Sequence, residues 1–319
     1  MELQDKSANN KVYDVLGVDG VDVDWLLKTP RLPSFDEKVF SELVGIFAGG
    51  PVGNFACIAS HLGLSVASLC TVGNDEGGSK ILADFKKYGV DCSYVEIDRS
   101  SITPFVIVLV DPSGEKAVVI PEMAVRTKRS LDLAAIGRAR YVYMSAVKVD
   151  RFLQVAAEAK KLGTKVMADI EPLPAASSRN IEDIVSVCNI ASFNEQGFVD
   201  AFHQEFSLKR ARELLVLGPE IIIVTRAEKG VVAVSRDETI ALPAHKVEVL
   251  DTTGAGDTFN AAFLFSLIKG YDLEHSVRFA NGAAALVIQS MGTRTHLPSV
   301  FATEDFIKNN QVTLVGEKE

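Results

Sequence analysis

The feature that most constrains the fold is the regular alternation of β-rich and helix-periodic runs along nearly the whole chain. β-Rich runs at 11–18 and 65–72 bracket a segment, 53–62, in which Ala56, Ala59 and Leu62 recur at helical spacing before Gly63. A second helical run, 77–88, sets Ile81, Leu82, Phe85 and Tyr88 on one face and stops at Gly89. The alternation continues with strands at 141–144, 165–169, 190–193, 220–225 and 230–235, and with helices at 151–162 and 207–217. Two helices, about 256–269 and 273–289, close the series. Repeated strand–helix–strand units bury their apolar faces as an α/β fold, a mainly parallel central sheet flanked by helices on both faces.

Two segments break the rhythm. Residues 19–47 are strand-like and carry Pro30 and Pro33, and 101–121 hold two β-rich runs, 105–110 and 115–120, joined by Asp111-Pro112-Ser113-Gly114. That tetrapeptide is a strong turn signal, so an antiparallel hairpin is expected there. A few such strands cannot bury both their faces alone. The expected organisation is therefore an α/β nucleotide- and substrate-binding domain (1–18, 48–100 and 122–319) with a small antiparallel β lid (19–47 and 101–121) inserted in it. Exposed edge strands invite pairing, so a homodimer through the lid is permitted, as is a monomer.

Charge narrows the function. The chain carries a formal net charge of −9, which argues against a nucleic-acid or membrane-surface partner, since both need a positive field facing phosphate. The four cysteines, Cys57, Cys70, Cys92 and Cys188, form no Cys-x-x-Cys pair, so free thiols in a reducing compartment are expected. Residues 1–10 are polar, without the apolar stretch of a signal peptide, and no apolar run approaches a membrane span. A cytoplasmic protein is expected.

The richest segment is Asp251-Thr252-Thr253-Gly254-Ala255-Gly256-Asp257-Thr258-Phe259-Asn260. It follows a strand-like run, 245–250, and opens a helix with Phe259, Ala262, Phe263 and Leu267 on one face. Gly254 and Gly256 permit backbone conformations and close approaches that a β-carbon would block. Unpaired amide N–H groups at the helix start then share one space with the positive end of the helix dipole, which suits a phosphate or the charge that develops in phosphoryl transfer. Asp257, in the first turn, stands where a carboxylate can accept the proton of an attacking hydroxyl. A tight turn with a capping carboxylate is the plainer reading of the same glycines.

The ten-residue string resembles the C-terminal signature of the ribokinase-like, or PfkB, carbohydrate kinases. Gly49-Gly50-Pro51-Val52-Gly53-Asn54-Phe55-Ala56 resembles the N-terminal signature of that family, and Val72-Gly73-Asn74-Asp75, with Gly78 and Tyr88-Gly89-Val90-Asp91, its next block. Val224-Thr225 with Lys229-Gly230, and Arg278-Phe279-Ala280-Asn281, are similar to its nucleotide-side segments, so the likeness runs from about Val15 to Pro298. The resemblance implies an ATP-dependent kinase for a sugar or sugar-like alcohol, with Asp257 as catalytic base and Gly254, Ala255 and Gly256 as anion hole. It implies Asp24, with Asp22 as a second candidate, and Gly50 and Asn54 on the substrate side. It implies Asn194, Thr225, Gly230 and Asn281 near ATP, and Asp251 and Thr253 on a monovalent cation such as K+. Magnesium is expected with ATP. Asn54 also fits a simple helix cap.

One departure stands out. The family usually has Asn-x-x-Glu beside the metal and phosphates, whereas here Asn194-Glu195-Gln196-Gly197 ends in glycine. A one-residue offset points the Glu195 side chain elsewhere. A milder departure is Ala227 in place of a frequent glycine. A nucleoside kinase of the same fold, or a weakly catalytic sugar- or nucleotide-sensing relative, are the competing readings. A dinucleotide-binding dehydrogenase is disfavoured further, because no Gly-x-Gly-x-x-Gly follows the first strand. The histidines are read as structural, and Arg126, Arg129 and Arg294 as surface charges rather than contacts for an acidic sugar.

Overall fold

The computed structural model describes residues 11–112, 116–121, 132–171 and 181–316. Residues 1–10, the Ser113-Gly114 half of the turn, Arg126 and Arg129 lie outside them.

From the N-terminus the chain forms β1 (Tyr13–Val18), β2 (Asp22–Lys28) and β3 (Glu42–Gly49), then helix α1 (Pro51–His61). Strands β4 (Val66–Leu69) and β5 (Thr71–Gly73), helix α2 (Glu76–Tyr88), and strands β6 (Glu96–Asp98), β7 (Phe105–Val110) and β8 (Lys116–Val119) follow. The middle contains α3 (Leu133–Gly137), β9 (Ala139–Ser145), α4 (Val149–Lys161), β10 (Lys165–Ile170), α5 (Ile181–Ser186) and β11 (Ile190–Asn194). Next come α6 (Glu195–Phe202), α7 (Leu208–Leu217), β12 (Ile221–Thr225), β13 (Val231–Ser235) and β14 (Thr239–Leu242). Three helices end the chain: α8 (Ala255–Ile268), α9 (Leu273–Val287) and α10 (Val300–Asn309).

The main sheet has eight strands in the order β14-β13-β12-β11-β10-β9-β1-β4. Strands β12 through β4 in that order are parallel, and β13 and β14 add an antiparallel edge. Helices cover both faces, so strand side chains are buried whichever way they point and the strands read as continuous apolar runs. Val15 joins a core with Phe55 of α1 and Phe263 of α8. Its neighbour Leu16 joins the opposite core, with Phe152 of α4 and Leu214 of α7.

Helix α8 is buried without interruption from Thr258 to Ser266. A helix apolar all round belongs inside a protein, and α1 and α9 flank it here. Its first turn is thereby fixed relative to the sheet.

The smaller sheet has the order β3-β2-β7-β8. Its central β2–β7 pairing is parallel, and β2–β3 and β7–β8 are antiparallel. The expected hairpin is the β7–β8 pair, from Ile107↔Val119 to Val110↔Lys116. Strand β3 runs to Gly49 and so delivers the chain straight into Gly50 and α1.

Three expectations need correction. The β-rich run 65–72 is two strands: β4 stays in the main sheet while β5 leaves it to pair with β6. The alternating run 245–250 forms no ladder, because β14 is already the sheet edge; Leu250 and Asp251 instead donate their amides to Ile288 O at the end of α9. Helix α10 follows the two helices expected to close the chain, started by Ser299, whose side chain accepts from Ala302 N. No helix among the described residues is long and apolar enough to cross a membrane.

Candidate active site

The glycine segment builds the start of α8 as its composition requires. Gly254 is the N-cap in the left-handed region, φ 77°, and no side chain caps the helix. A β-carbon there would lie 2.1 Å from Thr293 Cγ2, so only glycine fits. Ala255 N donates to Thr252 O at 3.2 Å, which commits that amide to the turn. The amides of Gly256 and Asp257 have no intrahelical acceptor by helix geometry. A β-carbon at Gly256 would meet nothing within 4 Å, so the space beside the first turn is open.

Asp257 stands in that first turn, and its Oδ2 accepts from Asn54 Nδ2 at 2.8 Å. Asn54 Oδ1 in turn accepts from Arg294 Nε at 2.9 Å. The same guanidinium donates to Gly49 O at 3.1 Å and to Asp84 Oδ2 at 3.0 Å. Arg294 is therefore not the surface charge expected of it: it is buried, because its donors have partners on three sides. Burial pushes the carboxyl of Asp257 up to about 7; the Asn54 bond and Arg294 pull it down, while Glu171 and Asp24 add to the rise. Such a carboxyl changes protonation near neutrality, where a general base works best.

Asp22 and Asp24 point from β2 toward the same place. Asp24 packs on Gly49, where a β-carbon would come within 2.3 Å of its Oδ2. Asp22 is enclosed, and its Oδ1 has no hydrogen-bond partner among the described residues. Burial drives its carboxyl up to about 8, helped by Asp24 and opposed by Arg294. Gly50, at φ 82°, brings the backbone so close that a β-carbon would sit 2.5 Å from Gly20 O. Asp22, Asp24, Gly50, Asn54 and Asp257 thus lie together in one polar cluster.

On its other side Asp257 borders a cleft of 1440 Å³ that Asn194, Thr225, Gly230, Asn281, Gly254, Ala255 and Gly256 also line. Asn194 Oδ1 accepts from Gly197 N at 2.6 Å and so caps α6. Glu195 turns to Arg226 and Lys229, at 3.1 and 2.8 Å, and leaves the glutamate missing at Gly197 unreplaced from that turn. Asn281 Nδ2 donates to Pro243 O at 3.0 Å, and Thr225 Oγ1 to Phe193 O at 3.3 Å. Asp251 and Thr253, the residues expected at a monovalent cation, both contact the ammonium of Lys116 from β8.

Asp169 and Glu171 also line the cleft, and no motif pointed to them. Asp169 is the penultimate residue of the buried strand β10, and a carboxylate at the C-terminal end of a parallel strand is itself a signal, because ligands bind at that end of such sheets. Burial, then Glu171 and Asp257, raise its carboxyl well above the ordinary range.

The family model described as pfkB family carbohydrate kinase matches residues 15–300. The chain belongs to that family. It is therefore a phosphotransferase with an alcohol group as acceptor. It is 25% identical to a ribokinase of Haemophilus influenzae, over 94% of this chain and 99% of that one. It is 26% identical to a nucleoside kinase of Methanothermobacter thermautotrophicus, over 89% and 92%. The solved Arabidopsis thaliana ribokinase complexed with ribose and ATP superposes with a TM-score of 0.80 at 24% identity, over 93% and 99% of the two chains.

Proposed function

We propose that this pfkB-family kinase transfers the γ-phosphoryl group of ATP to a hydroxyl of a sugar or sugar-like alcohol, with Asp257 as general base. The observation that carries the reading is the position of Asp257, bonded to Asn54 on the side of Asp22 and Asp24 and lining the cleft beside the α8 glycines. The substrate hydroxyl gives its proton to the Asp257 carboxylate, and its oxygen attacks the γ-phosphorus. The bond from that phosphorus to the β–γ bridging oxygen breaks, and ADP leaves. Charge growing on the transferring group meets the amides at the start of α8.

Hydroxyl-rich substrates suit this polar cluster because Asp22 Oδ1 is a buried carboxyl oxygen with no hydrogen-bond partner among the described residues, and a hydroxyl can both donate and accept. Arg294, with its donors engaged by Asn54, Gly49 and Asp84, offers little to an acidic sugar. The smaller sheet, residues 19–47 and 101–121, is read as the lid. Asn194, Thr225, Gly230 and Asn281 are assigned to the nucleotide. Mg2+ suits the hard oxygen donors of Asp169 and Glu171, which would hold it, and it supplies charge to offset the triphosphate. The exposed Trp25, Leu43, Val44 and Phe47 on the lid support pairing of two copies through it.

The test is an ADP-release assay across ribose, fructose, 2-keto-3-deoxygluconate, adenosine and other nucleosides. A sugar is expected to give the highest kcat/KM. Turnover with a nucleoside alone would install the second reading, which the nucleoside kinase among the relatives favours. Binding of sugars and ATP without turnover would instead mark a sensing protein.

A further inference from the structure

Lys116 opens β8 at the end of the lid hairpin, paired with Val110. Its ammonium reaches Asp251 Oδ1 at 2.5 Å and also contacts Thr253 Oγ1, across 135 residues of sequence. Asp251 is a hub for the turn that precedes the α8 glycines. Its Oδ1 also accepts from Thr253 N and Thr253 Oγ1, at 3.0 and 2.6 Å, and its Oδ2 from Gly292 N at 2.9 Å. Gly292 precedes Thr293, the residue packed against Gly254. The Asp251 side chain is only 9% exposed, and Lys116 is its ion-pair partner among the described residues. A carboxylate so enclosed is costly without a cation, and charge-assisted hydrogen bonds set the geometry of what they join.

We propose that Lys116 is a built-in cation: its ammonium fills the charge-balancing position at the 251–253 turn, so the enzyme needs no monovalent metal ion. Because Lys116 belongs to the lid and Asp251 to the loop before the glycines, seating the lid and ordering the α8 start become one event. Lys116 is a positioning residue that touches neither substrate nor phosphate. The proposal rests on the kinase reading above for its activity arm, and on that arm alone.

The experiment compares wild type with Lys116→Met, which keeps the apolar stem, in tetramethylammonium and in potassium buffers. Wild-type kcat/KM should be the same in both. The variant should lose roughly 10- to 100-fold without potassium, the scale of a small misplacement of catalytic groups, and regain most of it as potassium is added. A second readout needs no turnover: melting temperature and affinity for adenylyl-imidodiphosphate should be salt-indifferent in wild type and potassium-restored in the variant. Potassium activation of wild type, or a variant indistinguishable from it in both buffers, overturns the proposal. If wild type phosphorylates no acceptor, the kinase reading falls, while melting and nucleotide affinity still decide the role of Lys116.

Discussion

Asn54 Nδ2 donates to Asp257 Oδ2 at 2.8 Å, joining the first turns of α1 and α8 across 203 residues of sequence. The orientation of the amide is not free. Its oxygen accepts from Arg294 Nε, and an amide that accepts on one side must donate on the other. Arg294 thereby fixes the direction of the hydrogen bond that reaches Asp257. The arrangement opposes the effect of burial, which favours the protonated acid. Function and fold meet in this chain of three side chains.

Asp257→Asn keeps the size of the side chain and removes its capacity to take a proton. Turnover should fall by ~10²- to 10⁴-fold, while affinity for a non-hydrolysable ATP analogue, measured by calorimetry, stays near wild type. Near-normal turnover with the true acceptor would remove Asp257 from the mechanism.

The pH dependence should split in sign between activity and stability. A base must be deprotonated to act, so kcat/KM should rise through about pH 7, where Asp257 titrates. Its folded value lies above the unfolded value of 3.8. The folded state thus binds the proton more tightly, and the associated stability is complete below the unfolded value and lost as pH climbs toward 7. Asp22, pushed up to about 8, acts in the same direction. Denaturant midpoints of wild type should therefore decline from pH 4 to 8, and the decline should be shallower in Asp257→Asn. Equal slopes would mean that the residue titrates alike in both states.

How much of this was legible in sequence depends on the range of the interaction. Gly254, Gly256 and Asp257 lie within one turn, so their local chemistry announces a helix start built for an anion. The β7–β8 hairpin is equally local, since its turn residues sit between its strands. Arg294 finds Asn54 across 240 residues and Lys116 finds Asp251 across 135. Nothing near either side chain tells a paired cation from a solvated one, because only the assembled fold decides which charges face each other. The run 245–250 has a strand's alternation but no neighbouring edge to pair with, and a strand is a property of two segments.

Arg294 should matter more to stability than its place outside the glycine motif implies. Replacing it with alanine strands Asp84 and leaves the Asn54 oxygen and the Gly49 carbonyl without their donor. Leaving the buried Asn54 and Gly49 acceptors unpaired costs on the order of 3 kcal/mol, read as a lower urea midpoint at unchanged slope. Asp84→Asn should cost less, because the Asp84 side chain is 31% exposed and keeps water as an alternative partner. A harmless Arg294→Ala would show that the network is not holding Gly49 and Asn54 in place.

The two glycines before Asp257 should respond differently to the same methyl group. Gly254 has φ 77°, and its new β-carbon would stand 2.1 Å from Thr293 Cγ2. Gly254→Ala therefore combines backbone strain of ~1–3 kcal/mol with a clash, and should lower melting temperature and activity together. Gly256 is helical, with nothing within 4 Å of its would-be β-carbon. There alanine is the better helix former by about 0.5–1 kcal/mol, so Gly256→Ala should fold at least as stably as wild type. Its methyl nonetheless enters the open space in which the anion is expected beside the first-turn amides. Activity should drop at least tenfold while melting temperature holds or rises, a separation that a purely structural glycine cannot produce. A Gly256→Ala enzyme with unimpaired kcat/KM would mean that the phosphoryl group passes elsewhere.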